Sequence, residues 1–327
     1  MTKSSHANDM PLWTPSQERI DASRMRAFAN FCSARSGMEY ADFKSLHAWS
    51  VSHCEDFWSA VWDFGGVVGD KGERIVVDAE KMPGAQFFPD SALNYAENLL
   101  RRSGDDPSII FRGEDKARSS LSWNGLRELV SRLQQAFVAQ GVKEGDRIAA
   151  MVPNLPETIA CMMAANSIGA IWSSCSPDFG EQGVMDRFGQ IEPVLFIACD
   201  GYWYNGKKID VAAKIASIAP KLTAEKTVIL PYVGGGAAIC DQVEGCVSLE
   251  EFIADYQPKE LTFKRLPFSH PLYILFSSGT TGVPKCIVHS QGGVLLKHLS
   301  EHMLHCGVQP GDRVFYFTTC GWMMWNW

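Results

Sequence analysis

No two cysteines in this chain are spaced C-x-x-C, although ten occur among its 327 residues. That removes the usual sequence signature of a zinc ribbon or a paired redox motif. Several thiols sit inside apolar runs, as in Ile159-Ala160-Cys161-Met162-Met163. They read as buried free thiols in a reducing compartment. Apolar runs are too short for a membrane span. Met1 to Met10 is polar and lacks the apolar core of a secretory signal. Arg24 and Arg26 stand near the start, but Asp9, Glu18 and Asp21 argue against a transit peptide. The expected location is the cytosol. Positive charge is not in excess either: the net charge is −7. Nonspecific nucleic-acid binding is therefore not expected. Any anionic ligand must be held by local cations, not by a global field.

What is present suits a large globular protein. Hydrophobic residues make up 46% and aromatics 11%, enough to bury a sizeable core. Residues 1–95 are helix-like and rich in aromatics, with Trp49, Phe57, Trp58, Trp62 and Phe64 close together. Such clusters usually form core, so a small helical cap is expected here. Residues 96–327 then alternate. Strands are expected at Ser108–Phe111, Arg147–Val152, Ile171–Ser174 and Val194–Ala198. Helices are expected from a Ser122 N-cap to Gly141, over Pro156–Ile168 and over Gly183–Ile191. Strands alternating with helices imply an α/β fold with a parallel sheet covered by helices on both faces. Gly234-Gly235-Gly236 reads as a mobile excursion, followed by a helix from Leu249 to Ala254. Gly141-Val142-Lys143-Glu144-Gly145-Asp146-Arg147 is echoed by Gly307-Val308-Gln309-Pro310-Gly311-Asp312-Arg313, each copy expected to turn the chain into a strand.

The run Ser277-Ser278-Gly279-Thr280-Thr281-Gly282-Val283-Pro284-Lys285 holds four hydroxyls, two glycines, one lysine and no acid. It follows Pro271–Phe276, which reads as a buried strand. Glycines let the backbone approach a ligand closely. Successive N–H groups form an anion nest, and hydroxyls and a cation add donors. The plain alternative is a surface linker. The run is not a Walker A loop, which needs G-x-x-x-x-G-K-[ST] and opens a helix. Here Cys286–His289 reads as a second strand, so a strand–loop–strand cradle for polyphosphate is expected.

This loop resembles the phosphate-binding signature of the adenylate-forming superfamily: acyl-CoA synthetases, luciferases and peptide-synthetase adenylation domains. Gly145–Ala149, Ser167–Ile171 and His289–Gly293 resemble its short-chain branch, close to acetyl-CoA synthetase. Leu93–Leu100, Ser176–Gly180, Tyr204–Lys207, Leu266–Pro271 and Gly321–Trp327 are similar to the acetoacetyl-CoA synthetase family within that branch. The resemblance spans nearly all of the chain. It implies the large N-terminal α/β domain of these enzymes, incomplete, behind an aromatic-rich helical cap. It implies ligation of acetoacetate to CoA through an acyl-adenylate, in ketone-body use for lipid synthesis, with acetoacetate, ATP, Mg²⁺ carried with ATP, and CoA as small-molecule partners. It places Ser277, Ser278, Gly279, Thr280, Thr281, Gly282 and Lys285 on the ATP phosphates. It places Trp322, Met323 and Met324 at the acyl pocket, with ordinary core as the alternative, and Lys207 near CoA, with a solvated lysine as the alternative. Cys286 stands where the family usually has glycine. The family's adenine-binding segment, Mg²⁺-binding glutamate, ribose-binding aspartate and lysine-bearing C-terminal domain find no match. The chain is therefore expected to be an N-terminal half, inactive alone, with no catalytic residue assigned.

Acetate or butyrate are alternative substrates. A different class is offered by His298-Leu299-Ser300-Glu301-His302, which reads H-x-x-E-H, an inverted zinc-peptidase motif. It lacks an evident third ligand downstream, so no metal site is assigned. Nothing in the sequence sets an oligomeric state.

Overall fold

The computed structural model describes residues 11–277 and 282–327. It divides into two units: residues up to Gly66 with Leu296–Val314, and Val67–Leu295 with Phe315–Trp327.

The first unit is built on three helices, α1 (Arg24–Ser36), α2 (Phe43–Ser52) and α3 (Cys54–Gly65). Ser23 Oγ accepts the Arg26 N–H at 3.1 Å and starts α1; Gly37, at φ 71°, ends it. Asp42 and Ser45 form a capping box at α2. The aromatic residues fill the space between helices, as expected. The Phe28 ring lies 5.3 Å from Phe64 and 5.9 Å from Phe57, and Trp49 lies 5.2 Å from Tyr40. Each fully buried side chain of this kind stabilises the fold by about 1.5–3 kcal/mol. The π-helical turn Leu299–His305 belongs to the same unit. Gly65 permits its approach: a Cβ there would meet Leu299 Cδ1 at 2.9 Å.

The second unit carries a seven-stranded sheet. Its strands are β1 (Arg147–Met151), β2 (Ile171–Cys175), β3 (Leu195–Cys199), β4 (Lys226–Leu230), β5 (Cys246–Ser248), β6 (Pro271–Ser277) and β7 (Lys285–Ser290). The spatial order is β5-β4-β3-β1-β2-β6-β7. All neighbours are parallel except β6 and β7. Strands β1 to β4 are buried along almost their whole length, which suits a sheet covered on both faces. Helix α4 (Trp123–Ala139) starts at Ser122, whose Oγ accepts the Gly125 N–H at 3.0 Å, and buries Leu126, Val130, Leu133 and Phe137. Helices α5 (Pro156–Ser167), α6 (Glu181–Phe188) and α7 (Ala212–Ile218) connect successive strands. Val184 and Phe188 of α6, with Ile215 and Ile218 of α7, join Met151, Phe196 and Ile229 in one core. The α/β class and its mostly parallel sheet are as the sequence reading expects.

The seam between β2 and β6 differs from the rest. The two strands share one paired position, Tyr273 with Trp172. Side chains supply further links: Ser173 Oγ donates to the Ile274 carbonyl at 2.9 Å, and Asn166 Nδ2 to the Leu272 carbonyl at 3.2 Å. Both donors are buried.

Three expectations are corrected. The strand Pro107–Gly113 does not enter the parallel sheet; it pairs antiparallel with Ala117–Ser122 in a separate hairpin. The glycine triplet is anchored rather than free. The buried Asp200 carboxylate accepts N–H groups from Tyr232, Val233, Gly234 and Gly235 at 2.8, 2.8, 2.9 and 3.0 Å. A short helix, α8 (Gly236–Cys240), follows, then α9 (Leu249–Phe252) behind β5. The two echoed segments do form the same turn. Asp146 Oδ2 accepts the Lys143 N–H and Asp312 Oδ2 accepts the Gln309 N–H, both at 2.8 Å. Only the first turn feeds a strand. After Arg313 no ladder forms among the described residues, and Phe315 and Phe317 stay 85% and 90% exposed.

Candidate functional site

In open parallel sheets, ligands bind outside the carboxyl ends of the strands, where side chains and loop amides converge. Four such ends meet here. Strand β1 leads into Pro153-Asn154, β2 into Ser176–Gly180 and β3 into Asp200-Gly201, and β6 ends at Ser277.

The β6–β7 hairpin holds the hydroxyl-rich loop. Ser277 is the register partner of Lys285, so both stand at its mouth. Ser278, Gly279, Thr280 and Thr281 lie outside the described residues. Gly282 takes φ 142°, a conformation that side-chain-bearing residues rarely adopt. The returning limb is held from α6's side: Gln190 Nε2 donates to the Pro284 carbonyl at 2.9 Å. Lys285 is exposed. Next to it, Cys286 is exposed too, with partial burial raising its thiol. The Cys286 side chain is thus accommodated on the exposed side of β7.

The segment Cys320–Trp327, with its short helix α10 (Met323–Asn326), is laid against the ends of β1 and β2. Ser174 Oγ donates to the Cys320 carbonyl at 3.0 Å. A Cβ on Gly321 would stand 3.1 Å from Ser176 N and from the Phe179 ring, so glycine permits this approach. Trp325 Nε1 donates to Asn154 Oδ1 at 2.9 Å. Farther on, Tyr273 Oη donates to the Asn326 carbonyl at 3.4 Å, and the His289 and Trp327 rings lie 5.9 Å apart. Burial holds the His289 imidazole below its usual range. Trp322 is 66% and Met324 40% exposed, while Met323 is half-buried. Trp322 and Met324 are therefore not packed into the core of the described residues. Sequence reasoning missed Asn154, Gln190 and Trp325. The one available signal was position, since Asn154 directly follows a strand's carboxyl end.

Lys207 stands elsewhere on the same edge. It begins the second strand of a hairpin, Tyr202–Tyr204 with Lys207–Ile209, that follows β3. Asn205 and Gly206 turn the hairpin at φ 49° and 73°, and Glu114 accepts the Gly206 N–H at 2.7 Å. Lys207 is exposed.

The H-x-x-E-H segment offers a poor metal centre. The His298 and His302 rings are 5.5 Å apart, but Glu301 is paired with Lys297. Among the described residues, no group of three or more His, Cys, Asp or Glu side chains could hold a metal. No helix among them is long and apolar enough to cross a membrane.

Comparison with known proteins places this geometry in context. A family model described as AMP-binding enzyme matches residues 96–326, and one described as acetyl-coenzyme A synthetase N-terminus matches 43–99. The chain is 60% identical over 319 residues to an acetoacetyl-coenzyme A synthetase of Rhizobium meliloti (strain 1021), covering 98% of this chain and 49% of that protein. It is 40% identical to an acetoacetyl-CoA synthetase of Xenopus tropicalis, covering 97% and 48%. It is 36% identical to the malonamoyl-CoA synthetase vrtB of Penicillium aethiopicum, covering 97% and 45%. Among solved structures, an acetoacetyl-CoA synthetase from Streptomyces lividans superposes with a TM-score of 0.91 at 38% identity, covering 97% of this chain and 49% of that one. The chain thus spans about half the length of the relatives it matches.

Proposed function

The chain belongs to the AMP-binding enzyme family, and on that premise we propose that it serves an ATP-dependent acid–thiol ligase for acetoacetate. In this reading the acetoacetate carboxylate attacks the α-phosphate of ATP, giving an acyl-adenylate and pyrophosphate. The CoA thiol then attacks the acyl carbon and AMP leaves. Mg²⁺ enters with ATP and neutralises phosphate charge. Both steps depend on positioning and on fixed charge around transferring groups.

Roles follow from chemistry. Ser277, Ser278, Thr280 and Thr281 donate to phosphate oxygens, Gly279 and Gly282 let the backbone approach, and Lys285 supplies the cation. Trp322, Met323 and Met324 wall the acyl group, and Lys207 meets an anionic group of CoA. One observation carries the reading: Ser277 and Lys285 face each other at the mouth of a hairpin on the sheet's carboxyl edge. The acyl choice is supported by the relatives' names. Acetoacetate and malonamate are both short acids with a carbonyl two carbons from the carboxylate, unlike acetate or butyrate. In this proposal residues 1–95 are the N-terminal region and 96–327 the nucleotide-binding body, a functional boundary that differs from the structural division at Gly66, with cytosolic lipid metabolism as its setting.

The test is ATP–pyrophosphate exchange driven by acetoacetate, malonamate, acetate or butyrate. It is run on the 327-residue chain and on any longer protein that contains it. Exchange in the longer protein that is fastest with acetoacetate supports the reading. Exchange that ignores the added acid overturns it.

A further inference from the structure

We propose that Cys240 and Cys246 form a reversible oxidation site: a dithiol that closes to a disulfide when a low-molecular-weight disulfide is supplied. Their Sγ atoms lie 2.7 Å apart. Backbone, not side-chain wandering, brings them together. Helix α8 ends on Cys240 and β5 begins on Cys246. Between them Asp241 N–H donates to the Ala237 carbonyl, Gln242 N–H to Ile239, and Cys246 N–H to Val243, at 3.0, 3.0 and 3.1 Å. Gly245 makes the final bend at φ 70°, where a Cβ would lie 2.7 Å from the Glu225 carbonyl oxygen.

The segment is anchored on both sides. Upstream, Asp200 grips the Gly234 and Gly235 amides. Downstream, Cys246 is in register with Thr227 of β4. Both thiols are half-buried, unlike the exposed Cys286 and Cys306 or the buried Cys161 and Cys175. A reagent can reach them, and neither has to travel.

The step balances as thiol–disulfide exchange. The Cys240 thiolate attacks one sulfur of R–S–S–R. That S–S bond breaks, and one R–S⁻ leaves and takes the proton Cys240 gave up. The Cys246 thiolate then attacks Cys240 Sγ and forms the protein disulfide. It expels the second R–S⁻, which takes the Cys246 proton. Two protein thiols are oxidised and one disulfide is reduced to two thiols. Burial raises both thiols, and the acids Asp241 and Glu251 raise Cys240 further. With Glu251 and Asp241 near Cys240, an uncharged reagent suits the first attack. The second is intramolecular and fast, so the mixed disulfide does not accumulate.

The proposal stands on this pair alone, independent of the ligase reading. The folded chain is incubated with hydroxyethyl disulfide, alkylated and digested with trypsin. Thr227–Lys259 is then one peptide holding both cysteines. The expected product is this peptide unalkylated and lighter by two hydrogens, restored by dithiothreitol, while Cys286 carries a mixed disulfide. In Cys246→Ser the mixed disulfide is trapped on Cys240. Finding both cysteines alkylated after Cys286 is fully modified overturns the proposal. So does a stable mixed disulfide on the wild-type peptide.

Discussion

Trp325 and Asn154, 171 residues apart in sequence, are joined by a 2.9 Å hydrogen bond from the indole N–H to the carboxamide oxygen. That bond ties α10 to the carboxyl end of β1, beside the proposed acyl wall. Asn154→Ala removes it. In a longer protein carrying this sequence, KM for the acid should rise while KM for ATP stays unchanged. Trp325→Phe should act alike, and the double variant should add little, because one bond is being removed twice. The stability loss expected in denaturant titration is about 1 kcal/mol. Parallel rises in both KM values would place the pair in general support, not in the acyl site.

Lys285 supplies the single cation of the hydroxyl-rich loop. Lys285→Ala should weaken MgATP binding by roughly tenfold or more, the worth of one charge-assisted contact of about 1.5–3 kcal/mol. Equilibrium titration with a nucleotide reads this directly, and unchanged affinity removes Lys285 from the site.

Asp200 accepts four amide N–H groups. Asp200→Ala leaves those donors without their acceptor and should destabilise the second unit by about 3 kcal/mol. Asp200→Asn keeps one acceptor oxygen and should fall between. Equal stability of all three proteins would show that water replaces the carboxylate at no cost.

Asp90 gives the pH dependence a sign. The Arg74 guanidinium beside it lowers its carboxyl from the ordinary 3.8 to about 2. A depressed carboxyl contributes stability above its unfolded value and loses it as pH falls through the folded value. Melting followed from pH 5 down to about pH 2 should therefore show an acid limb that Asp90→Asn flattens. Added salt should shrink the difference, because the pair is solvent-exposed.

What the sequence revealed was chiefly local. Ser122 and Gly141 bound a helix because caps act within a few residues. The setting of Ser277 and Lys285 between two strands followed from two short apolar runs. Partner choice was not local. Nothing in Ser108–Phe111 distinguishes a strand joining a parallel sheet from one folding back on Ala117–Ser122. The second Gly-Asp-Arg turn repeats the chemistry of the first, yet Val314–Phe317 forms no ladder, since pairing needs a neighbour and not only a turn. Asn154 with Trp325, and Asp200 with Gly234 and Gly235, join segments that no periodicity connects. These long-range contacts dominate the candidate site, which is why position on the sheet edge was its best sequence clue.

The β2–β6 seam has a consequence for how such a protein can change. A backbone ladder uses main-chain groups that every residue but proline supplies in full. At this seam, Ser173 of β2 and Asn166 of α5 donate to carbonyls of β6. The seat of the β6–β7 hairpin thus rests in part on two buried side chains. Altering either would change how β6 is seated against its neighbours while every residue of β6 and β7 stayed the same.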